Sequence, residues 1–163
     1  MILKSTYYSP FGKLLIEANE EFLLTVIFDD SKENDFKDKN SIIDNCSQQL
    51  DEYFKGKRVS FDLPLKLAGT DFQKEVWGIV SNIPKGKTVS YKNIAQELDN
   101  IGAIRAIGKA NGDNKFHLII PCHRVIGSDG SLTGYAGGLA IKERLLIFEE
   151  AIANHQLSFS FSK

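Results

Sequence analysis

The sequence is poor in cysteine and has no long hydrophobic run. Its 163 residues include only two cysteines, Cys46 and Cys122, too few for a disulfide framework and typical of a reducing compartment. No pair of Cys or His residues has the spacing of a zinc site. No segment approaches the apolar length of a membrane span, and residues 1–8 lack the basic start and apolar core of a signal peptide. We therefore expect a cytoplasmic protein with no membrane contact, no metal and no cofactor.

An excess of positive charge is also missing. The formal net charge is -1, whereas proteins that bind nucleic acid are often basic overall. Residues 1–66 carry 9 Lys and Arg against 12 Asp and Glu, and residues 67–163 carry 11 against 9. Charge alone does not indicate DNA binding, but it makes the second half the better candidate for such a contact.

The first part of the chain has the pattern of a small sheet covered by one helix. Alternating apolar residues around the turn Ser9-Pro10-Phe11-Gly12 indicate antiparallel strands. The predicted strands are residues 2–8, 13–18 and 22–28, with residues 61–63 as a candidate fourth. The charged residues 29–40 predict a loop, and apolar residues at helical spacing predict an amphipathic helix over residues 41–54. The lone Cys46 is expected to be packed in this helix.

A domain boundary is predicted within residues 64–69. It divides the chain into an N-terminal α/β domain, residues 1–66, and a mainly α C-terminal domain, residues 67–163. Just after it, Thr70 and Gln73 match a capping box, which predicts a helix that ends near residue 83.

Two further short helices follow in the second domain. Ser90 is expected to cap a helix over residues 91–98, and small and apolar residues predict another over residues 103–110. Two short helices joined by a Gly-containing turn have the outline of a helix-turn-helix. A last amphipathic helix is predicted over residues 139–153.

The run Ile120-Pro121-Cys122-His123-Arg124 is the best candidate for chemistry. A cysteine becomes a nucleophile beside a base or a cation, and here His123 and Arg124 follow the sulfur directly. Adjacent residues need not touch through their side chains, so His123 is a candidate to act through a water. The alternative is a buried structural thiol beside a packed histidine.

The helix over residues 103–110 is unusually rich in small residues. Small side chains let a helix approach a DNA duplex closely, and Arg105 is long enough to reach between bases. Gly108 costs roughly 1 kcal/mol relative to Ala inside a helix, and close approach to DNA is one reason to keep it. A tight contact between helices in the core is the other.

Four isolated residues have an ordinary interpretation beside a functional one. Tyr91 and Tyr135 are able to donate hydrogen bonds or stack on a base, but isolated tyrosines usually pack in a core. Glu149 is by default a solvated residue of the last helix, and Asn114 a turn residue.

Together these motifs resemble one family. The run from Ile119 to Gly127, IIPCHRVIG, is similar to the active-site signature of O6-alkylguanine-DNA alkyltransferases. Further similar elements follow the family's order over most of the second half. They are Phe72-Gln73, Val76-Trp77, Ile83-Pro84-Lys85-Gly86, Ser90-Tyr91, Ile94-Ala95, Arg105-Ala106-Ile107-Gly108, Asn114 and residues 135–143. The first half resembles the family only in general shape.

The resemblance implies a fold and a function. An N-terminal α/β domain with a small RNase H-like sheet precedes a mainly α domain with a helix-turn-helix. The recognition helix enters the minor groove of double-stranded DNA that contains O6-alkylguanine, and Arg105 replaces the flipped base in the stack. A monomer then transfers the alkyl group irreversibly to its own Cys122. Whether O4-alkylthymine is repaired as well is left open.

The resemblance also implies roles for single residues. Cys122 is the alkyl acceptor, and His123 is the base that acts through a water and is oriented by Glu149. Tyr91 donates a proton or hydrogen bond to the leaving guanine, and Asn114 braces the Cys122 region. The residues implied to contact DNA are Arg105, Ala106, Gly108, Tyr91, Ser90 and Arg124. Those implied to line the guanine pocket are Val125, Tyr135, Ala136 and Gly137.

Two residues depart from the family pattern. Asp113 stands where Arg or Gly is frequent, and Lys115 stands where Pro is frequent. An acid near the DNA face weakens phosphate attraction, so we expect these residues to affect affinity more than chemistry.

Three alternatives remain. A non-catalytic alkyltransferase-like protein that flags lesions lacks the acceptor cysteine, whereas this chain has Cys122. A small helix-turn-helix regulator would not need Cys122. A cysteine hydrolase would turn over repeatedly, whereas a thioether has no easy route back to the free thiol.

Overall fold

In the computed structural model, residues 1–33 and 35–153 are described, and they form two compact units. The first comprises Met1–Ala68 and Lys115–Ile119, and the second comprises residues 69–114 and 120–153 among those described. The boundary predicted after residue 66 stays a prediction. The return of Lys115–Ile119 to the first unit was not foreseen.

The first unit contains the predicted sheet. Strands β1 (Leu3–Ser9), β2 (Gly12–Ala18) and β3 (Leu23–Phe28) are antiparallel in the order β1-β2-β3. Alternation places Leu14, Ile16 and Ala18 fully in the core. The sequence pattern therefore located all three strands to within one residue.

Helix α1 (Ser41–Phe54) has the predicted bounds. The Asn40 side chain accepts a hydrogen bond from the Ile43 amide at 2.8 Å and so caps the first turn. One face of the helix is buried in the first unit and includes Ile43, Leu50 and Cys46. Burial raises the pKa of the Cys46 thiol to about 12, and the prediction of a packed cysteine is confirmed.

The fourth strand predicted at residues 61–63 is wrong. The side chain of Gln49 accepts from the Asp62 amide at 2.9 Å and donates to the Asp62 carbonyl at 2.8 Å. The Gln49 side chain therefore takes the backbone N–H and C=O groups of Asp62 that would otherwise bond to a neighbouring strand. The bridge to β3 forms two residues later, between Leu65 and Leu23.

The segment Lys115–Ile119 lies along β3. The Val26 amide donates to the Lys115 carbonyl at 2.8 Å, and the His117 amide donates to the Val26 carbonyl at 2.7 Å. The His117 Nδ1 atom accepts from the Phe28 amide at 3.1 Å. A segment distant in sequence thus completes the sheet edge of the first unit.

The second unit is mainly helical. Its elements are α2 (Asp71–Ser81), β4 (Val89–Ser90), α3 (Tyr91–Glu97), α4 (Ile104–Gly112), β5 (Val125–Ile126) and α5 (Leu139–Phe148). The predicted capping box of Thr70 and Gln73 is present. The parallel pair β4–β5 was not predicted, since two-residue strands leave no pattern in a sequence. In the described part of the chain, no helix has the length and apolar character needed to cross a membrane.

Helix α5 ends before the predicted residue 153. Glu149 is its C-cap, and Glu150 has a left-handed backbone with φ 60°. This turn ends the helix so that Glu149, which is only 3% exposed, lies inside the second unit. The ordinary interpretation of Glu149 as a solvated residue is therefore wrong.

Candidate active site

Cys122 begins a single 3-10 turn, Cys122–Arg124, that leads into β5. Pro121 precedes it, and the thiol is buried, with 3% of the residue exposed. Two asparagines hold the backbone on either side of the sulfur. The Asn114 side chain donates to the Ile120 carbonyl at 2.8 Å, and that of Asn111 donates to the Cys122 carbonyl at 3.2 Å.

Both asparagines lie at the C-terminal end of α4, where Asn111 is in the last turn and Asn114 follows the cap. The predicted bracing role of Asn114 has a geometric basis here. Asn111 was not predicted. The only signal for it in the sequence is its position four residues after the apolar Ile107, which places both residues on the buried side of α4.

The resting sulfur is a thiol and not a thiolate. Burial raises the pKa of Cys122 to about 11, although a hydrogen bond from Asn114 and the charge of Lys142 act in the opposite direction. At neutral pH the proton therefore stays on sulfur. A nucleophilic attack by Cys122 needs a base that takes the proton as the new bond forms.

His123 is suited to be that base. Its Nε2 atom lies 2.9 Å from Glu149 Oε1, and because an ionised carboxylate only accepts hydrogen bonds, Nε2 carries the proton. Burial lowers the pKa of His123, while Glu149 acts to raise it. The neutral ring therefore keeps a lone pair on Nδ1, which is buried and has no hydrogen-bond partner within the described residues.

Glu149 joins His123 to Arg124 in a buried network. Arg124 Nε and Nη2 donate to the two carboxylate oxygens at 2.9 and 2.7 Å, and Nη1 donates to the Ile83 carbonyl at 2.7 Å. Burial acts to raise the pKa of Glu149, but the hydrogen bonds from His123 and Arg124 and the charge of Arg124 prevail and hold that pKa well below its usual range. The carboxylate stays ionised and fixes the imidazole.

The structure corrects the predicted DNA contact of Arg124. This side chain is only 4% exposed, and each of its three guanidinium nitrogens donates a hydrogen bond to Glu149 or to the Ile83 carbonyl. The DNA contact was implied by the resemblance, and the sequence alone does not show that the side chain is buried. Here Arg124 supports Glu149 from inside the second unit.

Lys142 is a further buried cation that sequence reasoning missed. Its Nζ atom donates to the carbonyls of Val125 at 2.6 Å, Thr133 at 2.8 Å and Gly134 at 3.4 Å. Burial lowers its pKa to about 8. Lys142 on α5 and Glu149 at its C-cap are seven residues apart, with buried Leu145 and Leu146 between them. The sequence offered one signal for this burial: Lys142 and Glu149 are spaced from Leu145 and Leu146 so that all four lie on the apolar side of the helix.

The Thr133 carbonyl also accepts a hydrogen bond from the Tyr91 hydroxyl at 3.2 Å. Tyr91 is half-buried at the start of α3, and burial raises the pKa of its phenol. The residues predicted to line the guanine pocket lie on β5 and on the loop after it, the two segments whose carbonyls Lys142 binds. Val125 is fully buried, Tyr135 and Gly137 are half-buried, and Ala136 is exposed.

Helix α4 presents Arg105 and Ala106 to solvent, whereas Ile107 and Ala110 are buried. A Cβ atom at Gly108 would meet only the Tyr91 ring, at 3.9 Å, which is an ordinary contact. Packing therefore does not require Gly108, and the tight core contact considered for it is not found. Ser90 uses its hydroxyl to cap α3, accepting from the Asn93 amide at 2.9 Å.

Comparison with known families agrees with this geometry. The sequence model of one family, the 6-O-methylguanine DNA methyltransferase DNA binding domain, matches residues 71–151. The family model of the ribonuclease-like domain of the same proteins matches residues 2–67. The chain belongs to the 6-O-methylguanine DNA methyltransferase family. The predicted family and fold class are thereby confirmed.

Individual relatives are similar over nearly the whole chain. The methylated-DNA–protein-cysteine methyltransferase of Methanosarcina barkeri is 48% identical over 87% of this chain and 93% of its own. The crystal structure of Mycobacterium tuberculosis O6-methylguanine methyltransferase is 38% identical, with a TM-score of 0.83 over 97% of this chain and 99% of its own. That of Mycobacterium tuberculosis OGT in complex with DNA is 39% identical, with a TM-score of 0.81 over 94% and 97%.

Proposed function

We propose that this chain repairs DNA by transferring the alkyl group of O6-alkylguanine to the Sγ atom of its own Cys122. The observation that carries the proposal is the buried thiol followed by a neutral histidine whose Nε2 atom is fixed by Glu149. The enzyme class, a methylated-DNA–protein-cysteine methyltransferase, is supported by curated relatives of that name at 40 to 48% identity. The lesion-flagging alternative is not favoured.

The transfer is a displacement at the alkyl carbon. The Sγ–C bond forms as the bond from that carbon to O6 of guanine breaks, and the bonding electron pair goes to the guanine. The thiol proton passes to His123, through a water, and the resulting charge is balanced by Glu149. The Tyr91 phenol, whose pKa is raised by burial, is protonated at neutral pH before the transfer. It gives its proton to the guanine ring as the bond to O6 breaks, so that guanine leaves uncharged, and the proton taken from the thiol then restores the phenol through solvent.

DNA is the partner of this family's DNA binding domain, and we propose that it is held at its minor groove. Exposed Arg105 fills the space of the extruded guanine, while Ala106 and Gly108 let α4 approach the duplex. An arginine in the stack offsets part of the unstacking cost of a few kcal/mol. Val125, Tyr135, Ala136 and Gly137 line the guanine site. We also propose a cytoplasmic monomer, and the two free cysteines support the cytoplasmic location.

The acceptor is tested by locating the transferred group. The protein is incubated with a duplex containing O6-methylguanine, digested, and its cysteine peptides are weighed. We expect one added methyl on the peptide that contains Cys122 and none on the one that contains Cys46. Methylation of both peptides, or of the Cys46 peptide alone, would overturn the proposal.

The rate of transfer is expected to depend on His123 ionisation. Because burial lowers the pKa of His123 below its usual value, the ring is neutral at pH 7, and protonation removes the base only as the pH falls through that lowered pKa. Single-turnover rates on a methylated duplex should thus be retained between pH 7 and 6.5 and decline as the pH falls further. A rate that already halves at pH 6.5 would contradict a neutral resting histidine.

Asp113 is expected to weaken DNA binding. Its carboxylate lies 3.1 Å from Lys109 Nζ on the exposed side of α4 and 3.1 Å from Gln73 Nε2. Asp113→Asn retains a partner for Gln73 but frees Lys109 for a phosphate. The dissociation constant for undamaged duplex, measured by fluorescence anisotropy at several salt concentrations, should fall, and the salt slope should steepen by about 0.9. An unchanged slope would exclude this explanation.

A further inference from the structure

Two isoleucine side chains are exposed where α4 begins. Ile101 is 57% exposed and Ile104 is 39% exposed. Ile101 starts the 3-10 turn Ile101–Ala103 that leads into α4. Residues three apart in such a turn lie on the same side, so the two side chains form one apolar shoulder, and Arg105 follows Ile104 directly.

The interior of the second unit does not account for this shoulder. The buried side of the turn and helix consists of Ala103, Ile107, Ala110 and Asn111. Among the described residues of the second unit, the large hydrophobic side chains that are exposed are Ile101, Ile104 and Leu139. Two of these three therefore directly precede Arg105, the arginine that the proposed function inserts into DNA.

An isoleucine side chain has no charge and no hydrogen-bond donor for a phosphate, which is bound by basic and polar groups. Proteins that bend or open a duplex from the minor groove instead use apolar wedges of this kind, which press on a base step and unstack it. A guanine that leaves the helix exposes the apolar faces of its neighbours, which is the surface that a β-branched side chain next to Arg105 is placed to cover.

We propose that Ile101 and Ile104 form an apolar wedge that lies against the minor groove beside the extruded guanine and holds the flanking base step open. The proposal rests on the proposed function and adds residues that promote extrusion. The occupant of the shoulder is the damaged duplex, continuous with the contact made by Arg105.

The test separates base extrusion from alkyl transfer. Ile104→Ala and the double variant Ile101→Ala/Ile104→Ala are compared with Ile104→Met, which keeps the apolar volume. The matched control is Val59→Ala, an exposed β-branched residue of the first unit. Single-turnover transfer is measured on a duplex containing O6-methylguanine and on the free base, which needs no extrusion. Fluorescence of 2-aminopurine next to the lesion reports unstacking.

The alanine variants should lose about tenfold in rate on the duplex, from part of the apolar burial of such a side chain, and lose the rise in 2-aminopurine fluorescence. Their rate on the free base should be unchanged, and Ile104→Met and Val59→Ala should match the wild type on both substrates. Wild-type rates on the duplex for the alanine variants would overturn the proposal, as would an equal loss on the free base.

Two other outcomes are distinguishable. If the wild type transfers no methyl group but the fluorescence rise still depends on Ile104, the wedge stands and the proposed transfer fails. If sedimentation shows that the wild type self-associates and Ile104→Ala does not, the shoulder binds a second copy of the chain and the wedge is overturned.

Discussion

Replacing Glu149 by Gln is expected to slow alkyl transfer at least a hundredfold and to lower the free energy of unfolding by about 3–5 kcal/mol. The carboxylate is buried and is the partner of both His123 and Arg124, at distances of 2.7 to 2.9 Å. Its removal leaves the guanidinium without a counter-charge. It also replaces the charged acceptor of the His123 Nε2 proton with a neutral amide oxygen, which balances the protonated imidazole less well.

The two effects are measured by denaturant unfolding and by single-turnover transfer. Glu143→Gln is the matched control, because Glu143 is buried on the same helix and its Oε2 atom has no hydrogen-bond partner in the described chain. We expect Glu143→Gln to retain the wild-type rate. An equal loss of rate in both variants, or a wild-type rate for Glu149→Gln, would contradict the role given to Glu149.

Lys142→Met should leave the fold intact but reduce transfer roughly a hundredfold, the loss that a displacement of about 1 Å causes in a reaction that depends on position. Lys142 ties the Thr133 and Gly134 carbonyls to that of Val125. Methionine has a similar shape but no donor, so the loop before Tyr135 is released. The cost of lost hydrogen bonds is offset by relief from burying an ammonium group.

A pH profile distinguishes this positioning role from a merely structural one. The pKa of Lys142 is about 8, so the wild-type rate should fall as the pH rises through 8 and the ammonium loses its proton. The Lys142→Met variant should lack this alkaline decline. Arg144→Met, an exposed neighbour on α5, serves as control. A persistent alkaline decline in Lys142→Met would assign the titration to another group.

The sequence was informative where a local pattern determines the structure. Alternation located β1 to β3, apolar spacing located α1, and the caps Thr70 and Ser90 located the starts of α2 and α3. The sequence around Cys122 also indicates the proposed reactive centre, because the proposed acceptor, its proposed base and the backbone constraint of Pro121 are adjacent in the chain. Each of these features depends on residues a few positions apart.

The remaining features depend on contacts between distant residues. The segment Lys115–Ile119 pairs with β3 through hydrogen bonds that no local sequence pattern predicts. Arg124 is buried only because Glu149 and the Ile83 carbonyl, 25 and 41 residues away, satisfy its donors. Lys142 likewise depends on carbonyls of a loop that precedes it. Side-chain burial of charged groups is a tertiary property, and hence sequence misjudged both cations.

The central claim is a single, irreversible transfer to Cys122, and intact-protein mass tests it most directly. The wild type, Cys46→Ser and Cys122→Ser are each incubated with an excess of duplex containing O6-methylguanine. The account predicts that the wild type and Cys46→Ser gain one methyl group per chain and then stop, with an equal amount of guanine restored. It predicts no gain for Cys122→Ser. Methylation of Cys122→Ser, or repair of more than one guanine per wild-type chain, would contradict it.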